Sequence, residues 1–238
     1  MHSIPFTFIV KKRQIRVIKS LNELLVMSKR AALICNGSIN TKFLYSFISE
    51  NDFIIAVDGG ANKLAKTKFT PNLIIGDMDS ISKNSLKKFR KIKQIKFPVE
   101  KNEIDLELAI DYCIKKKFKE IIILGAIGTR ADMTLTNVFL LAQIPKKIKT
   151  KIIHENQEIY LIPKKKFLIQ GIPGEKISLF PIKGNVKGLN LKGFKYELKN
   201  HELKFGLGIG LSNEFKNKKA WITTKDGLLL CVHFRKWF

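Results

Sequence analysis

Five of the eight aspartates in this 238-residue chain stand where an apolar run gives way to a glycine-rich turn or to the start of a helical pattern. Asp58 follows the run Phe53–Val57, in Val57-Asp58-Gly59-Gly60-Ala61-Asn62. Asp77 and Asp79 follow 73–75, in Gly76-Asp77-Met78-Asp79-Ser80. Asp132 closes 125–132, after the run 121–124, and Asp105 opens a helical pattern after 95–97. If those runs are parallel strands, all five carboxylates lie along one sheet edge. Carboxylates brought that close repel unless a cation intervenes. Mg²⁺ suits such a set, being a hard ion that takes oxygen ligands and shares them with substrate phosphates. Each signal is weak alone: a strand-end Asp often only caps the next helix, and Gly59-Gly60 fits a tight turn. Their convergence carries the reading. Glycines beside such a site let backbone N–H groups approach phosphate, and Lys101 and Arg130 add positive charge. Neither a Walker A sequence nor G-x-G-x-x-G is present.

The elements that must hold these residues can be read from hydrophobic rhythm. Apolar runs at 31–35, 53–57, 73–75, 95–97, 121–124 and 151–154 are continuous, as in parallel strands covered on both faces. Helical patterns at 41–49, 61–67, 82–92, 104–117 and 132–142 fall between them. This alternation predicts an α/β fold, an open, mostly parallel sheet with flanking helices, whose ligands sit beyond the carboxyl ends of the strands. From about residue 156 the rhythm changes. Short β-like runs at 159–162, 167–170, 176–180, 185–191, 194–198, 220–224 and 228–234 are punctuated by Gly and Pro. They predict a small antiparallel β-sandwich domain. The expected organisation is a basic N-terminal extension (1–30), an α/β nucleotide- and metal-binding catalytic domain (31–157) and a β-sandwich substrate domain (158–238).

Composition narrows the class. Forty-four basic against 20 acidic residues give a formal net charge of +24. Nucleic acid is an obvious partner for such a chain, but 38 of the 44 are Lys, and the Arg forks that read phosphate pairs are scarce. A nucleic-acid role would also leave the acidic strand ends unexplained. Lysines solvated on an ordinary surface account for the charge most simply, and attraction of a small anionic substrate comes next. Hydrophobic residues make up 45% of the chain, and no apolar run has the ~20 residues a bilayer span needs. Three separated cysteines, Cys35, Cys113 and Cys231, suit neither a disulfide framework nor a zinc site. A reducing compartment is expected, and the localisation read is cytoplasmic.

The motif series resembles the thiamine pyrophosphokinase family. The resemblance rests on Asp58-Gly59-Gly60-Ala61-Asn62, on Gly76-Asp77-Met78-Asp79-Ser80 and on Glu100-Lys101-Asn102-Glu103-Ile104-Asp105. Gly125-x-x-Gly-Thr-Arg130-x-Asp132-x-x-Leu135-x-Asn137 and Gly210-Leu211-Ser212-Asn213-Glu214 continue it. It covers about residues 31–238. Departures occur at Asn102 and Ile104, where the family usually carries Asp and Thr, and at Thr129 and Met133, where it usually carries Gly and His.

The resemblance implies a homodimer that moves diphosphate from ATP to the hydroxyl of thiamine, releasing AMP, with Mg²⁺ as cofactor. It implies Asp77, Asp79 and Asp105 as metal ligands and catalytic residues, with Arg130 beside them. Asp58, Gly59, Gly60, Asn62, Lys101, Arg130 and Asp132 would bind the nucleotide. Ser212 and Asn213 would bind thiamine, at an interface between two copies. A related diphosphokinase acting on a pterin-like alcohol is the alternative that the departures keep open.

Overall fold

The computed structural model describes residues 30–163 and 165–237. The basic extension expected at 1–30 lies, apart from Arg30, outside the described residues. Six strands form the first part: β1 (Arg30–Ile34), β2 (Phe53–Val57), β3 (Leu73–Gly76), β4 (Lys93–Lys96), β5 (Glu120–Leu124) and β6 (Lys149–His154). They run parallel in the order β4-β3-β2-β1-β5-β6. Between them lie α1 (Thr41–Phe47), α2 (Gly60–Ala65), α3 (Lys83–Lys88), α4 (Asp105–Lys115) and α5 (Ala131–Leu140).

The inner strands β1, β2, β3 and β5 are almost wholly apolar because both faces are covered, whereas the edge strand β4, Lys93-Gln94-Ile95-Lys96, is largely exposed. Leu33, Ile55, Ile75 and Ile123 pack with Leu106, Ala109 and Ile110 of α4. Their neighbours Ile34, Ile54, Ile74 and Ile122 pack on the other side with Leu44 of α1 and Leu64 of α2. Each fully buried side chain of this size contributes about 1.5–3 kcal/mol. Polar atoms set the helix starts. Asn40 accepts the Lys42 N–H at the head of α1, and the Ser82 hydroxyl accepts the Ser85 N–H at the head of α3. Asp105 and Glu107 occupy the first turn of α4, and Lys115 its last, the polarity a helix dipole favours.

The second part contains β7 (Gln157–Ile162), β8 (Lys165–Gln170), β9 (Lys176–Pro181), β10 (Val186–Lys192), β11 (Leu198–Leu203), β12 (Asn213–Glu214), β13 (Lys219–Thr224) and β14 (Leu229–Phe234). Four of these strands extend the first sheet. β6 pairs antiparallel with β7, and β14, β9 and β12 follow, giving ten strands in one sheet. The boundary expected at 157/158 therefore falls where the sheet is continuous. A separate sheet, β11-β10-β13-β8, packs against the added strands and makes the expected sandwich. Ile177, Leu179, Leu189, Leu191, Ile222 and Cys231 fill the space between the layers.

The strand expected at 194–198 lies later, at Leu198–Leu203. Gly193 donates its N–H to the Glu197 carboxylate at 2.8 Å, which turns the chain there. Phe194 meanwhile packs edge-on against Phe215, ring centroids 5.0 Å apart. A buried polar knot ties the C-terminal tail to this layer: His233 Nε2 lies 3.0 Å from Glu175 Oε2, and Glu175 also accepts the backbone N–H groups of Ile172 and Lys236. Beyond the knot, Trp237 packs on Phe47 of α1, ring centroids 4.8 Å apart. Among the described residues no helix is long and apolar enough to cross a membrane.

Candidate active site

Because β1 to β6 are parallel, the residues that follow them share one edge. Asp58 leaves β2, Asp77 and Asp79 leave β3, and each of the three presents a carboxylate oxygen within 4.8 Å of the others. Backbone conformation does the gathering. Asp58 and Met78 take positive φ, 43° and 71°, an uncommon conformation for residues with a side chain. The bend at Met78 lets the Asp79 N–H reach Asp77 Oδ1 at 3.1 Å, so both acids of the D-x-D turn to the same side. Gly76 lies at φ 151°, and a Cβ there would stand 2.9 Å from the Cβ of Asp58. Only glycine lets the β2 and β3 ends approach this closely.

Charge balance within the cluster comes from Lys101. Its ammonium lies 3.0 Å from Asp105 Oδ1 and 3.6 Å from Asp77 Oδ2. Burial pulls the ammonium pKa down, but contacts with Asp105 and Asp77 outweigh it and hold the group above its ordinary value. Asp105 moves up, chiefly through burial; Lys101 opposes this, and the charges of Asp77 and Asp58 add to it. Asp77 moves down, led by the Asp79 N–H that it accepts. The structure thus brings Asp77, Asp79 and Asp105 to one place, but groups the first two with Asp58. Asp105 stands behind Lys101.

One lysine does not match four converging carboxylates. Asp58 Oδ1 is buried with no hydrogen-bond partner among the described residues. Three carboxylates at this separation, one with an unsatisfied oxygen, form a donor set that fits a hard divalent cation. Beside the cluster opens a cavity of about 550 Å³. Its lining includes Asp58, Lys101 and Asp105 of the acidic cluster, Cys35 and Gly125 just after β1 and β5, and Asn137 of α5. The loops after β1 and β5 are joined there by Gly37 N–H to Gly125 C=O and Ser38 N–H to Ile127 C=O, each 2.8 Å. Arg130 lies on the cavity wall, exposed and ion-paired with the exposed Asp132, whose carboxyl it holds down at about 2. Ile104, Thr129 and Met133, three of the departures, also line this cavity.

Other expected residues stand apart from it. Gly59 and Gly60 are buried and do not line the cavity. A Cβ on Gly60 would lie 1.8 Å from the Ile34 carbonyl oxygen, so this glycine lets α2 pass over β1. Asn62 clips the loop after Asp79: its amide donates to Ser80 C=O at 2.8 Å and accepts the Ser82 N–H at 2.9 Å. Ser212 and Asn213 lie in the second part, and neither lines the cavity. The Asn213 amide is buried and engaged with Tyr196 and Glu214, whereas Ser212 is exposed at φ 54°. Sequence reasoning put Asp58 with the nucleotide rather than with the other two acids. The glycine at position 76 was the signal that β2 and β3 close on one another.

A parallel sheet whose strand ends gather acids beside a cavity of this size has the form of an α/β ligand-binding domain. Comparison with known proteins sharpens this. Two successive models, described as thiamin pyrophosphokinase, catalytic domain, and thiamin pyrophosphokinase, vitamin B1 binding domain, match residues 44–154 and 159–229. The thiamine pyrophosphokinase of Bacillus subtilis (strain 168) is 29% identical over 193 residues, covering 79% of this chain and 90% of its own. Thiamin pyrophosphokinase 1 of Caenorhabditis elegans is 24% identical over 77% of this chain and 79% of its own. The crystal structure of thiamine pyrophosphokinase from Bacillus subtilis superposes with a TM-score of 0.80 at 28% identity, covering 87% of this chain and all of that one. The chain belongs to the thiamine pyrophosphokinase family.

Proposed function

We propose that this chain transfers diphosphate from ATP to the hydroxyl of thiamine, giving thiamine diphosphate and AMP. The family to which the chain belongs supplies the reaction class. The observation that carries the reading further is the convergence of Asp58, Asp77 and Asp79 beside Lys101, with Asp58 and Lys101 on the cavity wall. Asp58, Asp77 and Asp79 would hold Mg²⁺, which when bound supplies positive charge to the phosphate oxygens. Asp105 holds Lys101 in place, and Lys101 and Arg130 meet the polyphosphate. The thiamine oxygen bonds to the β-phosphorus while the bond from that phosphorus to the bridging oxygen breaks. AMP keeps the bridging oxygen, and the hydroxyl proton passes to a carboxylate of the cluster or to water. Catalysis here is mainly positioning and charge compensation.

Thiamine in this reading meets Ser212 of a second copy. Ser212 is exposed and does not line the cavity of its own chain, and Phe205, Leu207, Ile209 and Leu211 just before it expose apolar surface. A homodimer covers that surface and brings Ser212 to its partner's acidic edge. A cytoplasmic setting belongs to the same reading, supported by three free, buried cysteines.

The test is incubation of the purified chain with ATP, Mg²⁺ and thiamine, and in parallel with a pterin-like alcohol. AMP and thiamine diphosphate formed in equal amounts are the expected products. AMP released only with the pterin would transfer the assignment to the alternative acceptor. No AMP with either would remove the diphosphokinase reading.

A further inference from the structure

Asn62 joins the two loops that carry the acid cluster. It stands in the first turn of α2, shortly after Asp58. The chain between them is tightly held. Ala61 donates its N–H to Asp58 C=O and Asn62 donates its own to Gly59 C=O, each at 3.0 Å. Gly60 meanwhile lies against the Ile34 carbonyl, which fixes this turn on β1. From that footing the Asn62 amide crosses to the loop after β3. Its Nδ2 donates to Ser80 C=O at 2.8 Å, and its Oδ1 accepts the Ser82 N–H at 2.9 Å. Both arms of the amide thus grip main chain, on either side of the buried Ile81. Ser82 in turn opens α3, so the grip falls where the loop becomes helix.

Ser80 passes this grip to the cluster. Its carbonyl takes the Asn62 bond, and its hydroxyl donates to Asp79 Oδ1 at 2.8 Å. The bonds from Ser80 to Asp79 and from the Asp79 N–H to Asp77 lie within the loop and set its shape, not its place. Among the described residues, the hydrogen bond that reaches 78–81 from another part of the chain is the one from Asn62. The loop needs such a tether. Carboxylates of Asp58, Asp77 and Asp79 within 4.8 Å of one another repel while no cation is bound. Lys101 restrains Asp77, whereas Asp79 is restrained through Ser80. We infer that Asn62 is a positioning residue of the cation site, holding the Asp79 loop against Asp58 so that a divalent cation meets its carboxylates already assembled. This rests on the cation reading of the cluster. The resemblance groups Asn62 with the nucleotide, yet it is not among the residues that line the cavity.

Titration of the full chain with Mn²⁺ alone, followed by the electron paramagnetic resonance signal of the free ion, tests it. ATP binding in EDTA is measured in parallel. Asn62→Ala should bind Mn²⁺ about tenfold more weakly than wild type, the scale of losing a residue that orients a metal ligand, with metal-free ATP binding unchanged. Asn62→Asp keeps the shape of the side chain and its acceptor for the Ser82 N–H, but turns a carboxylate oxygen on the Ser80 carbonyl. It should also bind Mn²⁺ more weakly, although it adds a negative charge next to Ser80. Should Asn62→Ala not fold, this isosteric variant carries the test. Tighter Mn²⁺ binding by Asn62→Asp overturns the inference, because charge rather than position would then govern the site. A lower thermal midpoint with the Mn²⁺ constant unchanged overturns it as well, leaving Asn62 a role in stability alone. A loss confined to metal-free ATP makes Asn62 a nucleotide ligand and also overturns it. Those three outcomes leave the cation reading intact, whereas failure of the wild type to bind Mn²⁺ removes both.

Discussion

Asp77 occupies the centre of the acid cluster: it shares the cation-ready group with Asp58 and Asp79, touches Lys101 and accepts the Asp79 N–H. Replacing it with Ala should lower turnover by on the order of 10²–10³, the scale of losing one preorganised electrostatic contact. The thermal midpoint should fall slightly, because the Asp79 N–H and the Lys101 ammonium hold this carboxyl below its ordinary value and so favour the fold at neutral pH. Wild-type-like turnover in that variant would withdraw the metal assignment. Ser212 asks for a different measurement. Ser212→Ala should raise KM for thiamine about tenfold through loss of one hydrogen bond, with KM for ATP unchanged. A rise confined to the ATP constant would misplace the loop. Its neighbour Asn213 is read differently, since its amide already satisfies Tyr196 and Glu214 and holds the loop in shape.

Two elements carry predictions about stability. α2 starts directly against β1, with Gly60 over the Ile34 carbonyl. Gly60→Ala inserts a methyl group where backbone already stands and should destabilise by about 1–3 kcal/mol, read as a lower denaturant midpoint. An unchanged midpoint would mean that α2 shifts freely. The other element is the knot around β14. Burial pushes the His233 imidazole down and Arg235 adds to this, against the opposing carboxylates of Glu175 and Glu158. Burial pushes Glu175 up, but the N–H groups of Lys236 and Ile172 and the charge of Arg235 outweigh it and leave the carboxyl below its ordinary value. Both folded-state values are depressed, so both groups favour the fold at neutral pH. As pH falls below the ordinary imidazole value of about 6.5, the unfolded chain takes up a proton that folded His233 refuses, and stability declines. Glu175 extends the decline below the carboxylate range. His233→Gln should flatten the first part of the profile; a wild-type midpoint that is level from pH 7 to pH 5 would contradict the argument.

At the scale of the molecule, one sheet of ten strands joins both parts and leaves a row of apolar side chains uncovered at 205–211. In the dimer reading these residues are buried by a second copy. Sedimentation should therefore show a dimer, and Leu207→Asp combined with Ile209→Asp should yield a folded monomer whose thiamine KM rises far more than its ATP KM. A wild-type monomer with full activity would place thiamine within one chain.

The sequence alone located all six strands of the first sheet, the inner ones to within a residue and the outer two, β4 and β6, less closely. Runs that are buried on both faces must be apolar throughout, and no packing partner changes that requirement. The expected run Phe53–Val57 is the observed strand, and the helices differ from their expected limits by a few residues at each end. The acids were legible for a related reason: once strands are parallel, residues that follow them share an edge. Tertiary structure decided what spacing does not encode. It joined the second part to the first sheet through a β6–β7 pairing, and it grouped Asp58 with Asp77 and Asp79 while setting Asp105 behind Lys101. It also engaged Asn62 and Asn213 in loop clips. These outcomes depend on distances between segments far apart along the chain, set by sheet register and close backbone packing rather than by local periodicity.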